Sequence, residues 1–376
     1  MDSDRPFSYG IQDSRLLPIA QKVLANERLS IEDGLVLYDT QDLSSLGALA
    51  DHVRRSKHGL KTYYVHSRRL SYTNICYTHC QFCAFQAKPD DPRAYVLSAE
   101  DIIKDLSADI NKGVCELHMV AGHYPKLKIE YFEDLFKKIK QSFPQIHLKV
   151  FTMVEMDYYA RISGLTIEEF LDRCIIAGLE SCPGGGAEIF DDEIRQKICI
   201  GKKDASIWLK NAKICHQKGL KTNCTMLYGH IEKPIHKIDH LNKLRNLQDE
   251  TNGFLAYIPL AYQIEENELS KTYPIKETTG FDDLREIAVA RLFLDNISHI
   301  KAYWVMITEG LAQVALSFGA NDLDGTVIKE EIAHNAGAKT PQMLTLERLQ
   351  QLIATAGYLP VQRDHLYREH NNTVHI

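Results

Sequence analysis

The sequence lacks the segments that place a protein in or across a membrane. It contains no run of about 18 consecutive apolar residues, the length of a membrane-spanning helix. Residues 1–6 (MDSDRP) are charged and differ from the apolar part of a secretory signal. We therefore expect a cytoplasmic protein with no membrane partner.

The sequence also lacks an excess of basic residues. The 44 Lys and Arg against 50 Asp and Glu give a formal net charge of −6, and the pI is 6.2. This balance argues against a nucleic acid partner held by a broad basic surface. The P-loop, the dinucleotide-binding glycine fingerprint and the Gly-x-Ser-x-Gly nucleophile elbow are absent as well. Apolar residues nevertheless make up 44% of the 376 residues, which excludes a disordered chain.

The nine cysteines are unevenly distributed. In a reducing compartment we expect free thiols or metal ligands rather than disulfides. Three cysteines, Cys76, Cys80 and Cys83, lie within eight residues with the spacing C-x3-C-x2-C. The other six are scattered and are most simply explained as small buried apolar side chains: Cys115, Cys174, Cys182, Cys199, Cys215 and Cys224.

Three thiolates at this spacing are suited to an iron–sulfur cluster. A zinc site would require a fourth ligand, typically from a second Cys/His pair at short spacing, and no such pair follows. With three cysteine ligands, one iron of a four-iron cluster has no protein ligand and is open to another molecule. The spacing therefore predicts Cys76, Cys80 and Cys83 as the ligands of a 4Fe-4S cluster.

Phe82, the aromatic residue directly before the last cysteine, completes a motif that resembles the radical S-adenosylmethionine (SAM) superfamily. The resemblance implies that SAM binds the open iron through its amino and carboxylate groups. It implies that an electron from the reduced cluster cleaves SAM to methionine and a 5′-deoxyadenosyl radical, and that Phe82 packs beside the adenine. The expected cofactors are a 4Fe-4S cluster and SAM, the latter as a cosubstrate.

Strand and helix patterns alternate along most of the chain after a strand predicted over residues 65–75. About seven such repeats predict a parallel sheet with helical crossovers. We expect an α/β fold, namely a (β/α) barrel of the radical SAM type, TIM-like and either partial or complete. Helical patterns at both ends predict an N-terminal extension over 1–60 that packs on the barrel, a barrel core over 61–320 and a C-terminal extension over 321–376.

In such barrels the active site lies at the C-terminal ends of the strands. Candidate cofactor-binding residues therefore follow the predicted strands: Gly122, Glu155, Gly184, Gly185, Gly186 and Glu188. Three successive glycines allow a close backbone approach and could present amide donors to a carboxylate. Glu155 could accept hydrogen bonds from a ribose. The alternatives are an ordinary tight turn for the glycines and a surface acid for Glu155.

His230 and Arg291 are the candidate catalytic residues, because a buried carboxylate of a substrate requires paired donors. Lys301, on a strand predicted over 299–306, is a further candidate, and Tyr262 and Trp304 are candidate apolar walls. A structural histidine and a structural arginine remain the alternatives for His230 and Arg291.

The segment Asp322-Leu323-Asp324-Gly325 resembles part of a calcium-binding loop. The first ligand position would be Ala320, whose side chain cannot coordinate a cation. We therefore do not predict a calcium site there.

Segments outside the cysteine motif narrow the family. Residues 183–190 (PGGGAEIF), 225–230 (TMLYGH), 300–306 (IKAYWVM) and 311–326 (LAQVALSFGANDLDGT) are similar to the aminofutalosine synthase family. The resemblance implies a transferase of menaquinone biosynthesis acting on 3-[(1-carboxyvinyl)oxy]benzoate. The adenosyl radical adds to the vinyl CH2, the aryl group migrates, carbon dioxide leaves and 6-amino-6-deoxyfutalosine forms. The reductant implied is a low-potential donor such as flavodoxin or ferredoxin.

Three other functions remain open at this point. The related dehypoxanthine futalosine cyclase would release 5′-deoxyadenosine instead of incorporating the adenosyl group. A non-enzymatic cluster carrier or redox sensor would not turn over SAM. A structural zinc module is the third alternative.

Overall fold

The computed structural model describes residues 10–202 and 204–370, so the charged segment 1–6 lies outside the described residues. The strands are β1 (Lys61–Val65), β2 (Ser67–Leu70), β3 (His79–Cys80), β4 (Glu116–Met119), β5 (His147–Val150), β6 (Ser181–Cys182), β7 (Cys199–Ile200), β8 (Lys221–Tyr228), β9 (Phe254–Ala261), β10 (His299–Ile300), β11 (Asp322–Gly325) and β12 (Leu359–Gln362).

The helices alternate with these strands over most of the chain. They are α1 (Leu16–Leu24), α2 (Ile31–Asp39), α3 (Leu43–His58), α4 (Ala99–Ile110), α5 (Ile129–Ser142), α6 (Met153–Ile162), α7 (Ile167–Ala177), α8 (Asp192–Ile198), α9 (Ala205–Gln217), α10 (Pro234–Thr251), α11 (Glu268–Thr272), α12 (Gly280–Phe293), α13 (Trp304–Ile307), α14 (Glu309–Ala315), α15 (Ile332–Asn335) and α16 (Leu346–Thr355). None of the described helices combines the length and apolar content required to cross a membrane.

Seven strands form one parallel sheet in the order β10-β9-β8-β6-β5-β4-β2. The predicted (β/α) barrel of the radical SAM type is confirmed. Its crossover helices begin at short polar side chains: Ser98 caps α4 and Thr166 caps α7, each through a reciprocal capping box. Each cap fixes the start of a helix that leads the chain back to the next parallel strand, so the C-terminal ends of the strands lie at one edge of the sheet.

Three further strands form a second parallel sheet, in the order β11-β1-β12. The segment 322–328 touches both edges of the seven-stranded sheet, through a Lys301–Asp322 bridge beside β10 and an Arg68–Ile328 bridge beside β2. The structure thus places β11 in the wall of the barrel, whereas residues 321–376 were expected to form a helical extension. The four residues of β11 include two aspartates, a pattern that does not predict a buried strand.

The N-terminal helices pack on the outside of the barrel. Helix α3 lies against α12, and α2 lies against both α10 and α12. The Tyr38 hydroxyl on α2 donates to Glu286 Oε2 on α12 at 2.7 Å. The predicted N-terminal helical extension is thus present as α1, α2 and α3. Its helices α2 and α3 pack on the outer helices α10 and α12 of the barrel and not on the ends of the strands.

Two predicted strands differ from the structure. The strand expected over 65–75 ends at Leu70, and the strand expected over 299–306 is limited to β10. After β10 the chain crosses between the two sheets, because the Lys301 amide donates to Tyr257 O and the Ala302 amide donates to Asp322 O. Helix α13 then begins at Trp304, whose indole N–H donates to Gly325 O at 2.9 Å.

Candidate active site

Residues 76–83, the cysteine loop, follow the end of β2 and are fixed by backbone hydrogen bonds. The Cys76 amide donates to Ala87 O at 3.1 Å, and the Cys83 amide donates to Cys80 O at 3.1 Å. Within the loop, β3 pairs antiparallel with β7, which places Cys80 opposite Cys199. The loop therefore has a defined shape although it contains only a two-residue strand.

The three thiols suit a cluster better than a single metal ion. Burial raises the pKa of Cys76, and it raises the pKa of Cys83 to about 12, so a cation or cluster is needed to hold these groups as thiolates. Within residues 10–202 and 204–370, no three Cys, His, Asp or Glu side chains converge on a point where one ion could bind. A four-iron cluster binds each thiolate at a different iron, so its ligands stand farther apart than zinc ligands do.

The cysteine loop opens into a cavity of about 270 Å³ at the C-terminal ends of the parallel strands. Phe82 and Cys83 line one part of it. The apolar part of the lining comes from Leu70, Val120, Leu227, Ile258, Leu260, Tyr262, Tyr303 and Met306. The polar part includes Arg69, His118, Glu188, Gln263, Asp324 and Glu330. The position agrees with the expectation that the site collects where the strands end.

The glycine segment approaches the neighbouring strand closely. A Cβ atom on Gly184 would lie 1.9 Å from Asn223 O, and Gly184 has a φ of +80°. Gly186 also has a positive φ, of +82°. Of the three glycines, Gly185 lines the cavity, and its carbonyl accepts a hydrogen bond from the Trp208 indole at 3.0 Å. Gly184 and Gly186 therefore shape the turn that presents Gly185.

Glu188 lines the cavity and forms a buried ion pair. Its Oε1 lies 2.5 Å from Lys202 Nζ, and Lys202 Nζ lies 5.4 Å from the centre of the Phe82 ring. Burial by itself would raise the pKa of Glu188, but the charge and hydrogen bond of Lys202 lower it overall. Lys202 was not predicted as a site residue, since nothing in the neighbouring sequence distinguishes it from a surface lysine.

The structure does not bring Gly122 or Glu155 to the cavity lining. Gly122 allows close packing behind the cysteine loop, because a Cβ there would lie 2.2 Å from Ile75 O. Both Glu155 oxygens are already occupied: Oε1 accepts from the Tyr72 hydroxyl and the Ala121 amide, and Oε2 accepts from the Thr152 amide at 2.8 Å. Neither residue is thus placed to bind the cofactor as expected. Gly122 serves the packing of the cysteine loop, and the Glu155 carboxylate joins neighbouring segments of the protein.

His230 lies behind the cavity lining and not in it. Its ring is 6.5 Å from the ring of Tyr262, which does line the cavity. Its Nε2 lies 3.1 Å from Leu227 O, and its Nδ1 lies 2.8 Å from the Ile231 amide and 3.1 Å from Glu232 Oε2. Burial lowers the pKa of His230. Both ring nitrogens are engaged, so His230 supports Tyr262 from behind.

Arg291 is a structural arginine in the outer layer. Its guanidinium donates to Gly319 O at 2.7 Å, to Ser298 O at 2.9 Å and to Asn321 Oδ1 at 2.7 Å, and the residue is fully buried. This placement corrects the expectation of a catalytic role. The three contacts join α12 to the chain before β10 and before β11, and full burial outside the cavity lining keeps the guanidinium away from a substrate.

The structure instead shows a cluster of buried ions that we call the ionic floor. Lys149 Nζ lies 2.6 Å from Glu116 Oε2, and Arg363 Nε lies 2.7 Å from Asp322 Oδ2. Asp324 accepts from both Lys301 and Arg69. Of these residues, only Lys301 was a site candidate from the sequence, and Asp322 and Asp324 were considered there only for a calcium loop that was not predicted. The sequence did contain a sign of these buried ion pairs. Glu116 and Lys149 are each a charged residue within a mostly apolar predicted strand, and a charge there is buried only when it is paired. The members of the ionic floor are Arg69, Glu116, Lys149, Lys301, Asp322, Asp324 and Arg363.

Comparisons with known proteins agree with this architecture. A family model described as the radical SAM superfamily matches residues 70–244, and one described as the CofH/MqnC C-terminal region matches residues 251–376. Among solved structures, the FeFe-hydrogenase maturase HydG from Carboxydothermus hydrogenoformans has a TM-score of 0.73 at 16% identity, covering 93% of this chain and 80% of that one. Methylornithine synthase (PylB) has a TM-score of 0.72 at 16% identity, covering 91% and 97%. These two structures support the fold.

Curated relatives are much closer in sequence. The chain is 49% identical to aminodeoxyfutalosine synthase from Thermus thermophilus, over 96% of this chain and 97% of that protein. It is 42% identical to aminodeoxyfutalosine synthase from Streptomyces coelicolor, over 93% and 92%. It is 37% identical to cyclic dehypoxanthine futalosine synthase from the same organism, over 94% and 88%.

The fold, the cysteine loop and these relatives define a radical SAM protein. Within that superfamily, the chain belongs to the family that contains the aminodeoxyfutalosine synthases. The resemblance found in the sequence is confirmed.

Proposed function

We propose that this chain is an aminodeoxyfutalosine synthase, the transferase activity that the sequence resemblance implies. The observation that carries the proposal is that Phe82 and Cys83 line the same cavity as apolar strand-end residues and a partly buried arginine, Arg69. An aromatic dicarboxylate requires such a combination of apolar walls and cationic donors. The relatives at 49% and 42% identity carry the same activity in their names.

Cys76, Cys80 and Cys83 would hold the 4Fe-4S cluster, and SAM would occupy its open iron. When bound, these groups supply the adenosyl radical. Phe82, Gly185 and Glu188 line the cavity beside the cysteine loop and are the residues that we assign to SAM. A carboxylate that is ion-paired with Lys202 can still accept hydrogen bonds from an amino group or a ribose.

The apolar lining has a second role in this reaction. Leu227, Leu260 and Met306 surround the space in which a radical would react, and they present neither hydroxyl nor thiol groups to it. Exclusion of water limits side reactions of a reactive intermediate. Substitution of these positions by polar residues would therefore lower the yield of the coupled product more than it lowers SAM cleavage.

A second, polar recess beside the cysteine loop supports the expected electron donor. His79, Cys80, Gln81 and Arg93 line this recess, so the loop is accessible from outside the main cavity. We propose that a low-potential donor such as flavodoxin or ferredoxin reduces the cluster from this side.

The test is anaerobic reconstitution followed by reaction with dithionite, SAM and 3-[(1-carboxyvinyl)oxy]benzoate. Mass spectrometry of the products distinguishes the alternatives. An adduct of the adenosyl group and the substrate, less carbon dioxide, would establish the synthase. Release of free 5′-deoxyadenosine with unconsumed benzoate would refute it and favour the cyclase or another relative. A protein that binds a cluster but does not cleave SAM would be a carrier or sensor.

A further inference from the structure

Arg69 is a cation at the cavity with unused hydrogen-bonding capacity. It lies on β2 and lines the cavity, with 14% of its side chain exposed. One terminal nitrogen donates to Asp324 Oδ2. Its Nε is fully buried and has no hydrogen-bond partner among the described residues. A buried guanidinium with an unpaired N–H is costly unless a ligand completes it.

The charges of the ionic floor leave one positive charge without a counter-ion. Lys149 is paired with Glu116 and Arg363 with Asp322, which makes two neutral pairs. The single carboxylate of Asp324 faces two cations, Lys301 and Arg69. Burial would raise the pKa of Asp324, but these two cations lower it, so Asp324 is ionised and carries one negative charge against two positive ones.

The other charged groups that line the cavity do not neutralise this excess. Glu330 is paired with His334 at 3.0 Å, and that hydrogen bond raises the pKa of His334 to about 9, so the pair is neutral near pH 7. Glu188 is paired with Lys202. Glu331 is exposed and therefore screened by solvent.

We propose that Arg69 binds the ring carboxylate of the substrate and so selects for a benzoate. This inference rests on the proposed function and names the residue that recognises one end of that substrate. Arginine is suited to the task, because its planar group binds a carboxylate through two parallel hydrogen bonds. Tyr303, whose ring lies 5.8 Å from the guanidinium carbon, gives an aromatic ring a surface beside this subsite.

The chemistry decides which of the two substrate carboxylates Arg69 binds. The vinyl carbon accepts the adenosyl group and must therefore face the cysteine loop. The carboxylate attached to the vinyl group leaves as neutral carbon dioxide, and the one electron released would return to the oxidised cluster, so an ion pair that stabilises the negative charge of this carboxylate would oppose the reaction. The ring carboxylate keeps its charge throughout. An arginine that binds it stabilises substrate, intermediates and product alike.

The first experiment uses the unmodified protein. Reconstituted enzyme with SAM and without reductant is titrated by anaerobic calorimetry with 3-[(1-carboxyvinyl)oxy]benzoate and with the analogue (1-carboxyvinyl)oxybenzene. We expect the analogue, which lacks the ring carboxylate, to bind at least about 30-fold more weakly, as loss of a buried charge-paired contact requires. Equal binding of the two compounds would overturn the proposal.

The second experiment locates the discrimination at one residue. In Arg69→Gln, we expect the dicarboxylate to lose at least about 30-fold in affinity while the analogue changes by less than about threefold, so the preference disappears. Arg69→Lys retains the charge but loses the paired geometry, and we expect an intermediate loss. Arg173→Gln is the matched control, since Arg173 on α7 pairs with Glu133 on α5 at 2.7 Å and does not line the cavity.

A parallel loss of affinity for both compounds in Arg69→Gln would mean that the residue is structural, and the proposal would be wrong. If Arg69→Gln does not fold, two measurements still test the proposal: the affinities of Arg69→Lys for both compounds, and the affinity of the unmodified protein for the analogue. In the control Arg173→Gln, SAM cleavage with dithionite in the absence of substrate should be unchanged, because Arg173 lies outside the cavity lining. Failure of the unmodified enzyme to form any adenosyl adduct would instead refute the proposed function, whatever the binding of the two compounds.

Discussion

The cysteine loop and the ionic floor border the same cavity but are built in opposite ways. The cysteine loop takes its three thiols from eight consecutive residues, 76–83. The ionic floor takes its charges from β2, β4, β5 and β11, from Lys301 next to β10 and from Arg363 next to β12. Arg69 and Asp324, which touch, are 255 residues apart in sequence.

This difference separates two kinds of functional information. The thiols can be identified without knowledge of the fold, because their spacing alone brings them together. The charges of the ionic floor have meaning only as a set, since each would be an unexplained buried ion without its partner. We expect substitutions in the cysteine loop to remove chemistry, and substitutions in the ionic floor to remove stability and substrate recognition.

The largest effect is expected in the cysteine loop. Cys83→Ala removes one cluster ligand, so we expect iron and sulfide content to collapse and product to become undetectable, while the fold is retained. Iron analysis and the mass-spectrometric product assay check this. Cys115→Ala is the control, because Cys115 is a half-buried thiol outside the loop. Normal cluster content in Cys83→Ala would contradict the assignment of the ligands.

The next effect tests the ionic floor. Asp324→Asn leaves Lys301 and Arg69 facing each other without a counter-ion, and we expect a loss of about 3–5 kcal/mol in the free energy of unfolding. Urea denaturation of the cluster-free protein measures it. Asp105→Asn is the control: Asp105 also accepts from two cations, Arg68 and Lys329, but it is 37% exposed, so we expect about 1 kcal/mol or less. Similar losses in the free energy of unfolding of Asp324→Asn and Asp105→Asn would show that the burial of Asp324 with its two cations does not increase its contribution to stability.

The third effect tests the close approach of the glycine segment to β8. Gly184→Ala places a Cβ 1.9 Å from Asn223 O at a φ of +80°. We expect about 3 kcal/mol of destabilisation, of which about 1 kcal/mol comes from the left-handed conformation and the rest from overlap. Gly164→Ala separates the two contributions, because Gly164 has a φ of +70° and no atom within 4 Å of the added Cβ. Equal losses in the two variants would exclude a steric contribution.

The smallest effect is a pH dependence at the rim of the cavity. The pKa of His334 is raised to about 9 by its hydrogen bond to Glu330, above its ordinary value of 6.5. A folded-state pKa above the unfolded one gives stability that is fully present below pH 6.5 and is lost as the pH rises through 9. We therefore expect the urea midpoint to fall between pH 6.5 and 9, and His334→Gln to reduce that fall. If the urea midpoint of His334→Gln falls between pH 6.5 and 9 as much as that of the unmodified protein, other groups are responsible for the pH dependence.

Sequence reasoning succeeded where a few neighbouring residues decide the outcome. Ser98 followed by the acids Glu100 and Asp101 predicts one helix start, and the capping box of Thr166 with Glu169 predicts another. Helices α4 and α7 begin there, because each cap needs only its own residue and the one three positions later. The strands predicted over 220–228 and 254–260 match β8 and β9 within one residue at each end. β9 is apolar throughout, and β8 is apolar over its second half except at Thr225, so the local pattern and the burial agree.

Sequence reasoning failed where a residue from a distant part of the chain determines the role of a side chain. Glu155 was predicted to face a ribose, yet Tyr72 and Ala121 occupy its carboxylate. Arg291 was predicted to bind a carboxylate, yet backbone carbonyls of Ser298 and Gly319 occupy its guanidinium. A side chain type gives its hydrogen-bonding capacity, whereas its partner depends on which chain segments pack beside it.

The cysteine spacing, the helix caps and the strand–helix alternation were determined by the sequence by itself, because each depends on contacts within one loop, one helical turn or one strand. The tertiary structure alone decided that Asp322-Leu323-Asp324-Gly325 is a strand in the barrel wall and not an ion-binding loop. It also decided that Arg69 faces the cavity with an unpaired N–H. The physical reason is that a buried charge is stable only beside its counter-ion, and sheet order brings together ions that the sequence keeps far apart.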